Sequence, residues 1–258
     1  MVRQQPTGRF EGICMLCIAS CLQHTVHTYH LWEVPMHRCR RDNVLQGQQD
    51  FHLTELGVQQ ARLVAARLRD INFFSAYTSD LTRATRTAEL ILEHHERVTL
   101  TKSKGLREYN LGVLEGLPRG TKRSEASRIK AAQQGVPLSE FVGGRIESPQ
   151  EMLQRCQDFM KEMVNSVSAS ARNTADGKVE HGIPVLCVSH GGFIHTLLEC
   201  VFCLGPMPLP GNCSITVVEV RERSGTGDLS FRCCLLNDVS HITGAGLSTN
   251  STVENLVP

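Results

Sequence analysis

The stretch Val185-Leu186-Cys187-Val188-Ser189-His190-Gly191-Gly192-Phe193-Ile194 constrains this chain more than any other. A short, fully apolar run reads as a buried strand. It stops at a polar corner, Ser189-His190, and two glycines then open a helix expected to begin near Phe193. A histidine held there stands at a strand end beside backbone N–H groups that have no intrahelical acceptor, and such groups favour anions. A phosphoryl group suits this corner. Taken alone, the stretch reads as a strand-to-helix turn with an incidental histidine.

Two further segments carry matching chemistry. Thr78-Ser79-Asp80-Leu81-Thr82-Arg83-Ala84 follows the apolar run Phe73 to Tyr77. Ser79 reads as an N-cap, and Leu81, Ala84, Ala88, Ile91 and Leu92 keep helical spacing. Arg83 then falls in the first turn, where its planar fork suits two phosphate oxygens; a solvated surface charge is the plainer alternative. In Leu106-Arg107-Glu108-Tyr109-Asn110-Leu111-Gly112-Val113-Leu114-Glu115-Gly116, a desolvated Glu108 could donate a proton to a leaving alkoxide. Otherwise it is an ordinary loop carboxylate.

With Gln46-Gly47-Gln48 and Leu53-Thr54-Glu55-Leu56-Gly57 ahead of them, these segments stand in an order that resembles the histidine phosphatase superfamily, the phosphoglycerate-mutase-like family. The resemblance runs from about Arg41 to about His241. The Gln-Gly-Gln segment, the Leu106–Gly116 segment and Asn237-Asp238 with His241 resemble its fructose-2,6-bisphosphatase-like branch. The resemblance implies a three-layer α/β/α sandwich. It implies catalytic roles for Arg83, Glu108 and His190, and substrate contacts from Arg83, His190, Gln46 and Gly47. It also implies a small phosphorylated metabolite such as fructose-2,6-bisphosphate as ligand. No metal and no organic cofactor are expected, because the family's chemistry runs on imidazole, guanidinium and carboxyl groups.

The family's first strand ends in Arg-His-Gly, and that histidine becomes phosphorylated. No Arg-His-Gly occurs in this sequence. The expected place, shortly before Gln46, falls near Val34 in Leu31-Trp32-Glu33-Val34-Pro35-Met36-His37-Arg38-Cys39. His24 lacks the flanking arginine and glycine. His37 has Arg38 on the wrong side, and Pro35 argues against a central strand. Losing a nucleophile costs several orders of magnitude in rate even when the electrostatic site survives. The expectation is a phosphatase fold with weak or no turnover; the alternative is a non-catalytic pseudophosphatase that binds phosphate or a partner.

The sheet poses a related problem. In the family the Arg-His-Gly strand is central, and its loss would leave neighbouring backbone groups unpaired. Ile13 to Leu22 is apolar on both faces and is the expected replacement, an atypical first strand. The run is too short to cross a membrane as a helix. Arg3 and Arg9 ahead of it give a weak likeness to a signal-peptide core, but no working targeting signal is read.

Composition sets the remaining limits. At 258 residues and 41% hydrophobic the chain can bury a sizeable core as one α/β domain, expected as a monomer. Its net charge of +1 gives no reason to expect nucleic acid or an acidic membrane as partner. Local charge is denser: Arg119, Lys122, Arg123, Arg128 and Lys130 fall in the segment after Glu108, which the resemblance implies is a lid, with a helix near Ser124 to Gln134. Eleven scattered cysteines suit a reducing cytoplasm. Cys14-x-x-Cys17 and Cys200-x-x-Cys203 have metal-ligand spacing, but apolar surroundings favour core thiols for Cys200 and Cys203. His24, His27 and His30 add only a faint metal-binding pattern.

Three parts follow: an atypical segment 1–40, a histidine-phosphatase-like domain 41–243 and a disordered tail 244–258. Thr54 should cap a helix facing inward through Ala61, Val64, Ala65 and Leu68. Ser148-Pro149-Gln150-Glu151 is a capping box. It opens a long helix burying Met152, Cys156, Phe159, Met160, Met163 and Val167. Ser166 to Gly182 reads as a loop. Strands are expected at Phe73 to Thr78, Val98 to Thr101, Ile215 to Val220 and Phe231 to Leu236.

Overall fold

The apolar run before His190 forms β4 (Ile183–Ser189). In the computed structural model, which describes residues 13–19, 44–172, 183–222 and 229–247, successive side chains of this strand enter opposite apolar layers. Val185 and Cys187 pack on one face, Leu186 and Val188 on the other. A strand buried on both faces needs helices on both sides. α4 (Pro149–Arg172) and α5 (Gly191–Thr196) cover the first face through Met152, Cys156, Phe159, Met163 and Phe193. α1 (Glu55–Leu68), α2 (Thr82–Leu92) and the short α6 (Ser240–Thr243) cover the second through Ala61, Val64, Ala84, Ala88, Ile91 and Ile242. The expected three-layer sandwich results.

The other strands are β1 (Ile13–Ala19), β2 (Ser75–Ser79), β3 (Leu100–Ser103), β5 (Ile215–Glu222) and β6 (Leu229–Asp238). Their order is β3-β2-β4-β1-β5-β6. The first four in that order run parallel, and β5 and β6 are antiparallel to their neighbours.

β1 lies between β4 and β5. Its register sets Met15 opposite Val185, Cys17 opposite Cys187 and Ala19 opposite Ser189. On its other side Met15 faces Val218 and Cys17 faces Thr216. The apolar run near the start of the chain therefore fills the central place over Ile13–Ala19, in one sheet with the elements that follow. Met15 is fully buried. The rest of the expected strand, Ser20 to Leu22, lies outside the described residues, as do His24 and His37.

Local signals placed several elements. Thr54 caps α1, its hydroxyl accepting from the Gly57 N–H at 3.1 Å. Ser148 and Glu151 form the reciprocal box: the Ser148 N–H donates to Glu151 at 2.9 Å and the Glu151 N–H to the Ser148 hydroxyl at 3.3 Å. These bonds and Arg145 hold the exposed Glu151 carboxyl down at about 2. The helix expected near Ser124 to Gln134 is α3 (Arg123–Gln134), closed by Gly135 in the left-handed region.

Four expectations need correction. Ser79 is not the N-cap of α2: it ends β2, and Leu81 stands at the cap without a side-chain bond. Asp50 caps the helix from another part of the chain, accepting from the Thr82 N–H at 2.7 Å and the Thr82 hydroxyl at 2.6 Å. Residues 166–172 continue α4 rather than forming a loop, because Val167 keeps the buried stripe going. α5 begins at Gly191, two residues before Phe193, with His190 as its N-cap. At the start of the expected tail, Leu247 packs against the α1/α2 layer and its N–H donates to Ile242; residues 248–258 lie outside the description.

Candidate phosphate site

Parallel β1, β4 and β2 are neighbours, so their carboxyl ends meet at one edge of the sheet, where open α/β sheets bind ligands. β4 delivers His190 there. β2 delivers Asp80 and, one helical step on, Arg83. Ser189 anchors the corner by donating its hydroxyl to the Leu106 carbonyl at 2.7 Å. That bond ties β4 to the segment carrying Glu108.

His190 is fully buried. Burial pushes its pKa well below the usual histidine value, and the cations Arg83, Arg155 and Arg107 push the same way. The imidazole is thus neutral and surrounded by positive charge. Glu108 is 2% exposed. One carboxylate oxygen accepts from the Gly192 N–H at 3.0 Å, in the first turn of α5, and the other from the Tyr109 N–H at 2.9 Å. A Cβ on Gly192 would overlap Glu108 and come within 2.9 Å of the Tyr109 ring, so only glycine admits the acid here.

Arg83 is 1% exposed. Its fork is engaged with the chain: it donates to the Gly47 carbonyl at 2.8 Å and the Gln49 carbonyl at 3.0 Å. Its Nε has no acceptor among the described residues. Burial lowers its pKa, opposed by Glu108, Asp50 and Glu115. Gln46 is buried beside this arrangement, its Oε1 without a donor among the described residues. Gly47 contributes its carbonyl to Arg83 and adopts a φ of 51°, with Glu115 occupying the space a Cβ would need. Arg83, Glu108 and His190 thus share one electrostatic environment, and Gly47 joins it through its carbonyl bond to Arg83.

Three residues outside the expected set complete the corner. Arg107 forms a two-pronged pair with Asp80, at 2.6 and 2.7 Å, and reaches Gln48 at 3.2 Å. The pair lowers the Asp80 pKa and raises that of Arg107. Gln48 in turn donates to the Glu108 carbonyl at 3.0 Å. Arg155 on α4 pairs with Glu147 and donates to the carbonyls of Gly105, Arg107 and Glu108 at 3.0, 2.6 and 3.2 Å. It spans the turn that carries the acid. Arg155 lies on the inward stripe of α4 between Met152 and Cys156, and one charge on an apolar stripe is a signal the sequence offers. An open cavity of about 400 Å³ adjoins these groups, lined by Gln48, Lys104, Arg107, Asn110, Arg145 and Arg155 among others. None of the clustered cations Arg119, Lys122, Arg123, Arg128 or Lys130 lines it. No cluster of three metal-ligating side chains occurs among the described residues, and no described helix is long and apolar enough to cross a membrane.

Fold and corner together define an α/β protein with an anion-favouring site at the carboxyl edge of a parallel sheet. The family model for the histidine phosphatase superfamily (branch 1) matches residues 34–230, and the chain belongs to that superfamily. It is similar to a probable fructose-2,6-bisphosphatase TIGAR A of Danio rerio, 32% identical over 149 residues, covering 56% of this chain and 55% of that protein. The aligned part thus spans about half the length of that relative. It is similar to a probable phosphoglycerate mutase GpmB of Proteus mirabilis, 32% identical over 213 residues, covering 79% of this chain and 89% of that protein. Among solved structures, a phosphoglycerate mutase from Bacillus anthracis superposes with a TM-score of 0.61 at 22% identity, covering 92% of this chain and 97% of that one, which shows the shared fold.

Proposed function

We propose that this chain is a fructose-2,6-bisphosphatase-type member of the superfamily that binds a small phosphorylated metabolite but turns it over weakly or not at all. The carrying observation is the composition of β1. The strand beside His190 reads Ile-Cys-Met-Leu-Cys-Ile-Ala, without imidazole or guanidinium, and the chain has no Arg-His-Gly. The remaining chemistry suits binding. The phosphoryl group would sit against Arg83 and the neutral His190, with one oxygen satisfying the buried Arg83 Nε. Gln46 and Gly47 would hold the clamp, and Glu108 would face the leaving oxygen. In-line attack needs a nucleophile opposite that oxygen, and β1 carries no histidine to fill the family's role. The similarity to TIGAR A supports a sugar bisphosphate as ligand. The free thiols of Cys200, Cys203, Cys233 and Cys234 suit the cytoplasm.

The test is phosphate release from fructose-2,6-bisphosphate by the purified chain beside His190→Ala, with calorimetric binding in parallel. Release should stay at or near the blank for both proteins, while Arg83→Ala should weaken binding of the bisphosphate at least about tenfold, as loss of a charged hydrogen bond does. Release that disappears in His190→Ala would mean a working nucleophile and would overturn the reading. Absence of any binding by the folded wild-type chain would overturn it as well.

A further inference from the structure

Cys200 and Cys203 are not the core thiols their apolar neighbours suggest. Both are free and exposed. After α5 the chain widens into one π-helical turn, Leu197–Val201. Phe202 turns inward and stacks on Phe231, ring centroids 4.4 Å apart. The two cysteines flanking Val201-Phe202 are thereby turned to solvent. The turn is fixed: the Phe202 N–H donates to the Leu197 carbonyl at 2.9 Å and the Leu204 N–H to the Leu198 carbonyl at 3.1 Å.

Cys203 has a φ of 55°, the left-handed conformation that favours glycine at a helix end. A side chain is strained there, and such an outlier is a reason to look for a function. The conformation folds Cys203 back over the helix end, its sulfur 3.7 Å from the Cys200 carbonyl. No third metal-ligating side chain joins them among the described residues, so a structural metal site is not formed.

We propose that Cys200 and Cys203 are a surface redox dithiol that a peroxide oxidises to an intramolecular disulfide. Burial, Glu199 and Cys203 raise the Cys200 pKa. Cys203 is exposed and can attack first. Its thiolate sulfur bonds to one peroxide oxygen, the O–O bond breaks, and the departing hydroxide takes a proton to leave as water. Cys203 is now a sulfenic acid. Cys200 gives up its proton and attacks that sulfur; the S–OH bond breaks and a second water leaves. Two thiols and one hydrogen peroxide give one disulfide and two waters. The site is separate from the phosphate corner and does not depend on turnover there.

The test treats the reduced full chain with equimolar hydrogen peroxide, then alkylates the denatured protein and maps its peptides. The peptide carrying Cys200 and Cys203 should escape alkylation at both positions and be lighter by two hydrogens. A doubly alkylated peptide, or linkage of either residue to another cysteine, would overturn the proposal. Cys200→Ser should leave Cys203 as a sulfenic acid captured by dimedone. Cys203→Ser should leave Cys200 without a disulfide partner; a disulfide at Cys200 in that variant would overturn the pairing. Phenylarsine oxide, which bridges paired thiols, should block this peptide in the wild type and in neither variant. Equal blocking in all three proteins would refute the pairing.

Discussion

His190 illustrates how far one residue's setting determines its chemistry. Its sequence neighbours mark a strand end, but its protonation follows from the side chains gathered around it. Burial disfavours the charged ring, and Arg83, Arg155 and Arg107 disfavour it further. The unfolded chain binds this proton near the ordinary value of 6.5, whereas the folded chain does not until the pH is far lower. The unfolded state therefore holds more protons in that interval, and stability rises with pH through it. As pH falls below 6.5, this group should remove up to about 1.4 kcal/mol of stability per pH unit. Burial depresses His241 and His95 too, so they act in the same direction. Urea midpoints at neutral pH and near pH 5 should diverge less in His190→Gln than in the wild type. Parallel shifts in the two proteins would show that His190 is not the group resisting protonation.

At the scale of elements, helix starts separate what is local from what is not. α1 and α4 begin at Thr54 and at the Ser148–Glu151 box, where each cap and its partner lie within one turn and can be read in sequence. α2 begins at Thr82 with its cap on Asp50, a loop residue brought close only when the fold forms. Asp50→Ala should therefore lower the unfolding free energy by about 1 kcal/mol, the usual worth of an N-cap. A change in the denaturation midpoint within the scatter of ordinary surface substitutions, about 0.5 kcal/mol, would deny Asp50 that role. The same division explains the site. Arg83, Glu108 and His190 were legible because each follows a strand or sits in a recognisable segment. Arg155 was visible only as a charge on a buried stripe, and its reach across the Glu108 turn depends on where α4 docks. Cys200 and Cys203 misled because apolar neighbours indicate burial only if the helix stays regular, and the π turn rotates Phe202 inward in their place.

For the whole molecule the decisive element is β1. Ile13–Ala19 is paired on both sides, parallel to β4 and antiparallel to β5. Removing it would divide the sheet between β4 and β5 and leave both with open edges. Its legibility rested on one physical demand, a short run able to lie between two apolar layers, and Met15 with no exposed surface meets that demand. A strand so placed cannot open without the sheet opening, so its amides should exchange only through global unfolding. Hydrogen exchange at Cys14 to Ile18 should therefore match that at Leu186 and Val218 and slow in step with overall stability. The edge strands β3 and β6 should exchange faster through local opening. Amides of β1 that exchange as fast as those of β3 would mean that the sheet holds together without its central strand. The pairing of Ala19 with Ser189 would then no longer hold the end of β1 against the end of β4. If β1 and β4 are instead protected equally, the two strand ends form one rigid edge. The identity of the residues on β1, rather than any looseness in its placement, then limits the chemistry at that edge.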